Sequence, residues 1–369
     1  MDPAGAAVIV ASRKSRQHKN VVAAKIGLAI LTLSAVLAGL AALILTKNSG
    51  SADLKPIATF AERGARKMNA DIKDEAGLAR VAEATEKFSR SLYSAMIEEV
   101  AEEENLLVSP FSAAAVLAMG AAGARGDTAR QMWAGLGVGA DTKMAMAGWS
   151  RAIPALRTNR DFTLETANNV FVAEKYKILD EYKESLHRIF HSDLSPVDFT
   201  DTEVASKKIN SWVKNMTNEK IKELVDPSGL NGIVMVLVNA IYFKGEWVTK
   251  FDSKNTKKRE FFSSPNEVVM ADMMSQTGNF PFASLDDIDS RMLELPYKGK
   301  RIVMQILLPN KKDCGLKSLE KWIADVDISK MFEDKQKTIE VNIQMPKFNL
   351  THTADLKAEL LTHFIKIKS

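Results

Sequence analysis

Val236-Leu-Val-Asn-Ala-Ile-Tyr-Phe-Lys-Gly-Glu-Trp247 is the stretch around which the rest of the chain can be read. β-Branched and aromatic side chains fill it and no proline interrupts it, so it predicts a buried strand leaving at Gly245-Glu246. Asn239 breaks the apolar run. A buried amide destabilises a strand unless it is hydrogen-bonded, so other parts of the chain must supply its partners.

Upstream, Glu203–Val225 has an amphipathic helical pattern through Ile209, Trp212, Val213, Met216, Ile221 and Leu224. Phe162–Val172 is strand-like and carries Asn168-Asn169, and Glu181–Phe190 reads as a helix. Ser109 is a good N-cap and Pro110 a good first helical residue for the Ala-rich helix through Ala113–Ala122. Asn105–Val108 before it reads as a short strand, and Gly126 to Leu136 after it as a helix. Val81–Val100 has helical spacing. Downstream, residues 260–308 alternate short strands and turns, followed by helix 316–323, strand 338–345 and helix 355–364. Helices come early, strands late, and no βαβ repeat is visible. The expected class is α+β.

The 369 residues are 46% hydrophobic and 26% charged, as a globular chain with a large core should be. A formal net charge of +4 is too small for a dedicated nucleic-acid binder. Cys314 is the single cysteine, so no intrachain disulfide can form.

Residues 1–25 are basic, with Arg13, Lys14, Arg16, Lys19 and Lys25 before the uncharged run Ile26–Leu45. A helix of about twenty such residues spans a hydrocarbon core of roughly 30 Å. The favoured reading of 26–46 is an uncleaved signal-anchor, with everything after Lys47 translocated. Small residues at Ala38-Gly39-Leu40-Ala41-Ala42 keep a cleaved signal peptide as the rival, and a buried helix is the third reading. Either of the first two puts the chain on the extracellular side, membrane-anchored or secreted. Residues 47–80 read as a polar linker, and 81–369 as the folded domain. Asn215-Met-Thr217 and Asn349-Leu-Thr351 are glycosylation sequons for a translocated chain.

No catalytic or metal motif is complete, and no cofactor is called for. His187 and His191 have metal spacing, but Arg188 follows His187 where a general base would stand, so they read as solvated helix residues. Gly148-Trp149-Ser150-Arg151-Ala152 lacks the final glycine of a nucleophile elbow. The glycines of 135–139 complete no dinucleotide fingerprint. Lys254, Lys257, Lys258 and Arg259 read as a solvated loop. Ser109, Ser112 and Asn239 read as structural hydrogen-bonding groups.

Several segments together resemble one family. They are Asn105-Leu-Leu-Val-Ser-Pro-Phe-Ser112, Gly123-Ala-Arg-Gly-Asp-Thr128, Ala167-Asn-Asn-Val-Phe171 and Ile209-Asn-Ser-Trp-Val213 with Thr217. With Leu237–Trp247, Leu293-Glu-Leu-Pro-Tyr-Lys-Gly299 and Pro346-Lys-Phe348 they stand in the order found in the serpins, over roughly Ala82–Ile365. The resemblance implies a large central sheet plus barrel strands, with Val236–Phe243 as the sheet's third strand. It also implies that Ser109, Pro110, Ser112 and Asn239 form the hydrogen-bonded "shutter" where that sheet opens. Trp247 is then the aromatic of the "breach" at its top. Inhibitory serpins offer a loop to a serine or cysteine protease, and the cleaved loop inserts as a new strand beside the third one. One local departure is Glu219, where the family usually has glycine.

The larger departure is C-terminal. The sequence reaches Ser369 inside or just after the helix following Phe348, and the hinge pattern Glu-Gly-Thr with an Ala run is absent. The fifth sheet strand, with the family's further histidine partner for the shutter, and the reactive loop are therefore expected to be missing. The expectation is a truncated inhibitor homologue, non-inhibitory alone, and aggregation-prone through unpaired strand edges. The alternative is a membrane-tethered, non-inhibitory relative acting as a binding or chaperone-like protein.

Overall fold

Side-chain caps at Ser109, Asp141, Asp201 and Asp327 explain where four of the helices start. Ser109 caps and Pro110 opens the Ala-rich helix Pro110–Gly123, as expected. The computed structural model describes residues 29–30, 58–99, 105–139, 141–156, 160–264, 267–311, 315–323 and 325–349. The order begins with β1 (Ala29–Ile30), α1 (Ala58–Glu99), α2 (Pro110–Gly123), α3 (Gly126–Gly135) and α4 (Thr142–Ala155). Then come β2 (Phe162–Ala173), α5 (Asp180–Phe190), β3 (Ser192–Val197), α6 (Thr202–Met216) and β4 (Met235–Gly245). The remainder is β5 (Lys257–Ser264), β6 (Glu267–Leu285), β7 (Ser290–Pro296), β8 (Val303–Pro309), α7 (Gly315–Ile323), α8 (Ile328–Lys335) and β9 (Lys337–Pro346).

Among the described residues two sheets form. One has the order β3-β2-β4, parallel between β2 and β3 and antiparallel between β2 and β4. The other runs β1-β8-β7-β6-β5, with β9 also on β6. Side chains alternate across β4. Ile241 and Phe243 join the main core with α1, α2 and α4, whereas Val238 joins Ile209 and Val213 of α6. The edge strand β3 contains Pro196, which brings no N–H, and the Pro196 carbonyl accepts from Lys208 Nζ of α6 at 2.7 Å.

Several expectations need correction. The stretch read as a polar linker is helical from Ala58, because Ala, Glu, Arg, Lys and Met there are strong helix formers. Its Gly77 serves a contact: a Cβ there would stand 2.7 Å from the Met144 carbonyl oxygen of α4. The apolar run was expected to be a helix, yet Ala29–Ile30 pairs antiparallel with Ile306 and Gln305 of β8. The rest of that run lies outside the described residues. No helix among the described residues is long and apolar enough to cross a membrane. Asn105–Val108 joins neither sheet. The expected helix 355–364 lies outside the described residues.

The helix expected over 203–225 stops at Met216. Thr217 turns the chain, its hydroxyl donating to the Val213 carbonyl at 2.8 Å and accepting from the Ile221 N–H at 3.1 Å. Asn218 and Glu219 then take positive φ, 49° and 62°. The residue that departs from the family's glycine thus occupies a left-handed position, where a Cβ is strained. Its 3.5 Å contact with Lys214 is an exposed pair and offsets little. Glu219→Gly is expected to raise unfolding stability by about 1 kcal/mol in urea. A loss of stability would show that the turn is not strained.

Candidate functional site

Two Asn residues interrupt otherwise apolar strands, and the register sets them side by side: Asn168 of β2 lies opposite Asn239 of β4. Both are buried, at 3% and 1% exposure, and alternation places both on the sheet face toward α2. Asn239 Nδ2 donates to Asn168 Oδ1 at 2.7 Å, and Asn168 Nδ2 donates to the Phe190 carbonyl at 2.6 Å. That carbonyl ends α5, so the pair ties β4 through β2 to a helix terminus that would otherwise leave an unpaired acceptor. Asn239 Oδ1 is buried without a donor among the described residues.

Asn169 points the other way and bonds Ser195 of β3, its Nδ2 donating to Ser195 Oγ at 3.1 Å. The three strands are therefore cross-linked by side chains as well as by backbone.

α2 packs across β4. At its start the Ser109 hydroxyl donates to Ser112 Oγ at 3.0 Å and accepts from the Ser112 N–H at 3.4 Å. Pro110 occupies the first helical position, and Ser112 is fully buried. Ser109 and Ser112 were the expected partners of Asn239. They bond one another instead, and the partner is Asn168, a residue sequence reading singled out only as part of a pair. The far end of α2 is held by Tyr182 of α5, whose hydroxyl donates to the Met119 carbonyl at 3.0 Å. Burial pushes the Tyr182 phenol up to about 12, so it remains a donor through the neutral range.

Trp247 closes the exit of β4. Its ring stacks on Tyr297 at 4.1 Å and 20°, and Tyr297 meets Phe243 edge-on at 4.9 Å. Tyr297 follows β7 directly, so this stack joins the ends of the two sheets. Its phenol is pushed upward by burial. Gly245 is required here, since a Cβ would stand 2.7 Å from the Tyr297 ring.

This cluster is uncharged and can exchange hydrogen bonds, but it holds no nucleophile paired with a base. Ser150 lies inside α4 with its hydroxyl donating to the Ala147 carbonyl at 2.7 Å, so it sits on no elbow. His191 is a left-handed residue beyond α5 and no longer shares a helix face with His187. Lys258 meets Asp272 at 3.5 Å, and Arg259 donates to Gln344. Of the sequons, Asn215 and Asn349 are exposed, whereas Thr217 is fully buried as a turn-forming hydroxyl.

Residues 83–363 match the family described as Serpin (serine protease inhibitor). Serpin B3 of Homo sapiens is 33% identical over 301 residues, 76% of this chain and 76% of that protein. Intracellular coagulation inhibitor 2 of Tachypleus tridentatus is 34% identical over 264 residues, 70% of this chain and 64% of that protein. The solved structure described as Cleaved Serpin 42Da superposes with a TM-score of 0.69 at 32% identity, covering 74% of this chain and 72% of its own. An extracellular, anchored or secreted location was expected and is corrected. A relative carries "intracellular" in its name, and no described helix can cross a membrane. The apolar run Ile26–Leu45 and the basic residues before it had carried that expectation.

Proposed function

The chain belongs to the serpin family, and from that premise we propose that these residues form the strand-receiving part of a serine-type endopeptidase inhibitor. Ser109, Pro110, Ser112 and Asn239, with Asn168, form the shutter where the sheet opens, and Trp247 stands at the breach at its end. The observation that carries this reading is Asn239 Oδ1, which among the described residues is a buried acceptor without a donor, on a strand paired along one side only. A strand added beside β4 would satisfy its backbone edge and can bring a donor to that oxygen. The 369 residues contain no small-residue hinge of the kind the family resemblance implies, so these residues by themselves trap no protease.

Two measurements test the reading. Incubation with a panel of serine and cysteine proteases should give no SDS-stable complex; such a band would overturn the non-inhibitory part. An extended Ala/Thr peptide should raise the melting temperature, as any ligand of the folded state does. A rise no greater than that from a proline-substituted peptide would remove β4 as the receiving edge.

A further inference from the structure

The C-terminal end of α2 and the facing sides of α3 and α4 line an open cleft of about 470 Å³. Its walls include Ala121, Ala122, Trp133 and Met146, with Ala129 on the α3 side. Ala121 and Trp133 are among the buried residues, so the lining is a continuation of the core. Arg125 and Arg130 also line the cleft. Arg125 Nη1 donates to the Ala122, Gly123 and Ala124 carbonyls at 3.3, 3.4 and 2.9 Å, which fixes its guanidinium over the end of α2. Each arginine has an acidic neighbour: Glu181 stands 3.8 Å from Arg125 Nη2, and Asp127 stands 2.7 Å from Arg130 Nη2. Both carboxylates are 81% exposed, so these pairs are worth little and a ligand anion can replace them.

We propose that this cleft binds a small amphiphilic anion, an alkyl or aryl carboxylate, with its apolar body against Trp133 and Met146 and its charge at the two arginines. The volume lies in the range of small-molecule sites, roughly 300–1,000 Å³, and an apolar lining with few polar groups is their usual chemistry. A neutral hydrocarbon would gain nothing from the guanidinium groups. A long polyanion would run onto Asp127 and Glu181.

Decanoate titrated calorimetrically into the full chain should bind saturably at one site, and decyl alcohol should bind about tenfold more weakly. Ala129→Phe puts a ring into the cleft and should weaken decanoate binding by about tenfold or more. The pair Arg125→Gln/Arg130→Gln should weaken it about tenfold while decyl alcohol is unaffected. Absence of saturable decanoate binding would overturn the proposal. So would decanoate affinity unchanged in Ala129→Phe, which decides the matter even if losing Arg125 unfolds the arginine variant.

Discussion

Replacing Asn168 by alanine is expected to destabilise the fold by about 3 kcal/mol, and replacing Asn239 by only about 1 kcal/mol. The two residues share one hydrogen bond, so a simple count of contacts would rank them closer. The difference lies in what each substitution leaves behind. Asn168→Ala removes two hydrogen bonds, strands the buried Asn239 Nδ2, and leaves the Phe190 carbonyl without the Asn168 donor. An orphaned buried group costs about 1–3 kcal/mol. Asn239→Ala strands Asn168 Oδ1, but it also deletes an acceptor that is already unpaired, and the two effects largely offset. Urea denaturation of both single variants and the double variant measures this. Equal single effects would mean that Asn239 Oδ1 has a donor in solution.

Gly148→Ala is expected to cost about 3 kcal/mol, at the upper end for added bulk in a packed interior. A Cβ there would stand 2.2 Å from the Gly77 carbonyl oxygen and 2.6 Å from Val81 Cγ2. Backbone cannot yield as a side-chain tip can, so α1 and α4 must separate. Alanine is the better helix former by about 1 kcal/mol, and that gain is too small to compensate. Gly120→Ala is the control. Its Cβ would meet only the mobile end of Met132 at 3.0 Å, so the propensity gain should leave it neutral or stabilised. A Gly148→Ala variant as stable as Gly120→Ala would show that the α1–α4 crossing is looser than its geometry.

The strand β4 and the capped start of α2 were legible because period and cap chemistry are local. The Asn168–Asn239 bond was not, since it depends on register between strands far apart in the chain. The α+β order was likewise visible. Gly77 stood in the stretch read as a linker and Gly148 in an incomplete elbow pattern, whereas each permits two helices to touch. The start of α1 was missed because an Ala-rich segment has high helix propensity without a clear apolar stripe. β3 was missed because Pro196 argues against a strand, yet an edge strand tolerates it. Family order located Ser109, Ser112 and Trp247, but not which atoms they touch.

Pro196 and Lys208 give the first sheet a direction. On its β3 side one amide donor is missing by covalent structure, and the carbonyl of the same residue is already taken by a lysine from α6. A strand arriving there would meet a rung that can neither donate nor readily accept. The β4 side has no proline from Met235 to Gly245. Among the described residues, β4 is therefore the edge better suited to widening this sheet. Any mispairing between copies of this chain through this sheet should be asymmetric, with β4 the edge that recruits and β3 the edge that refuses.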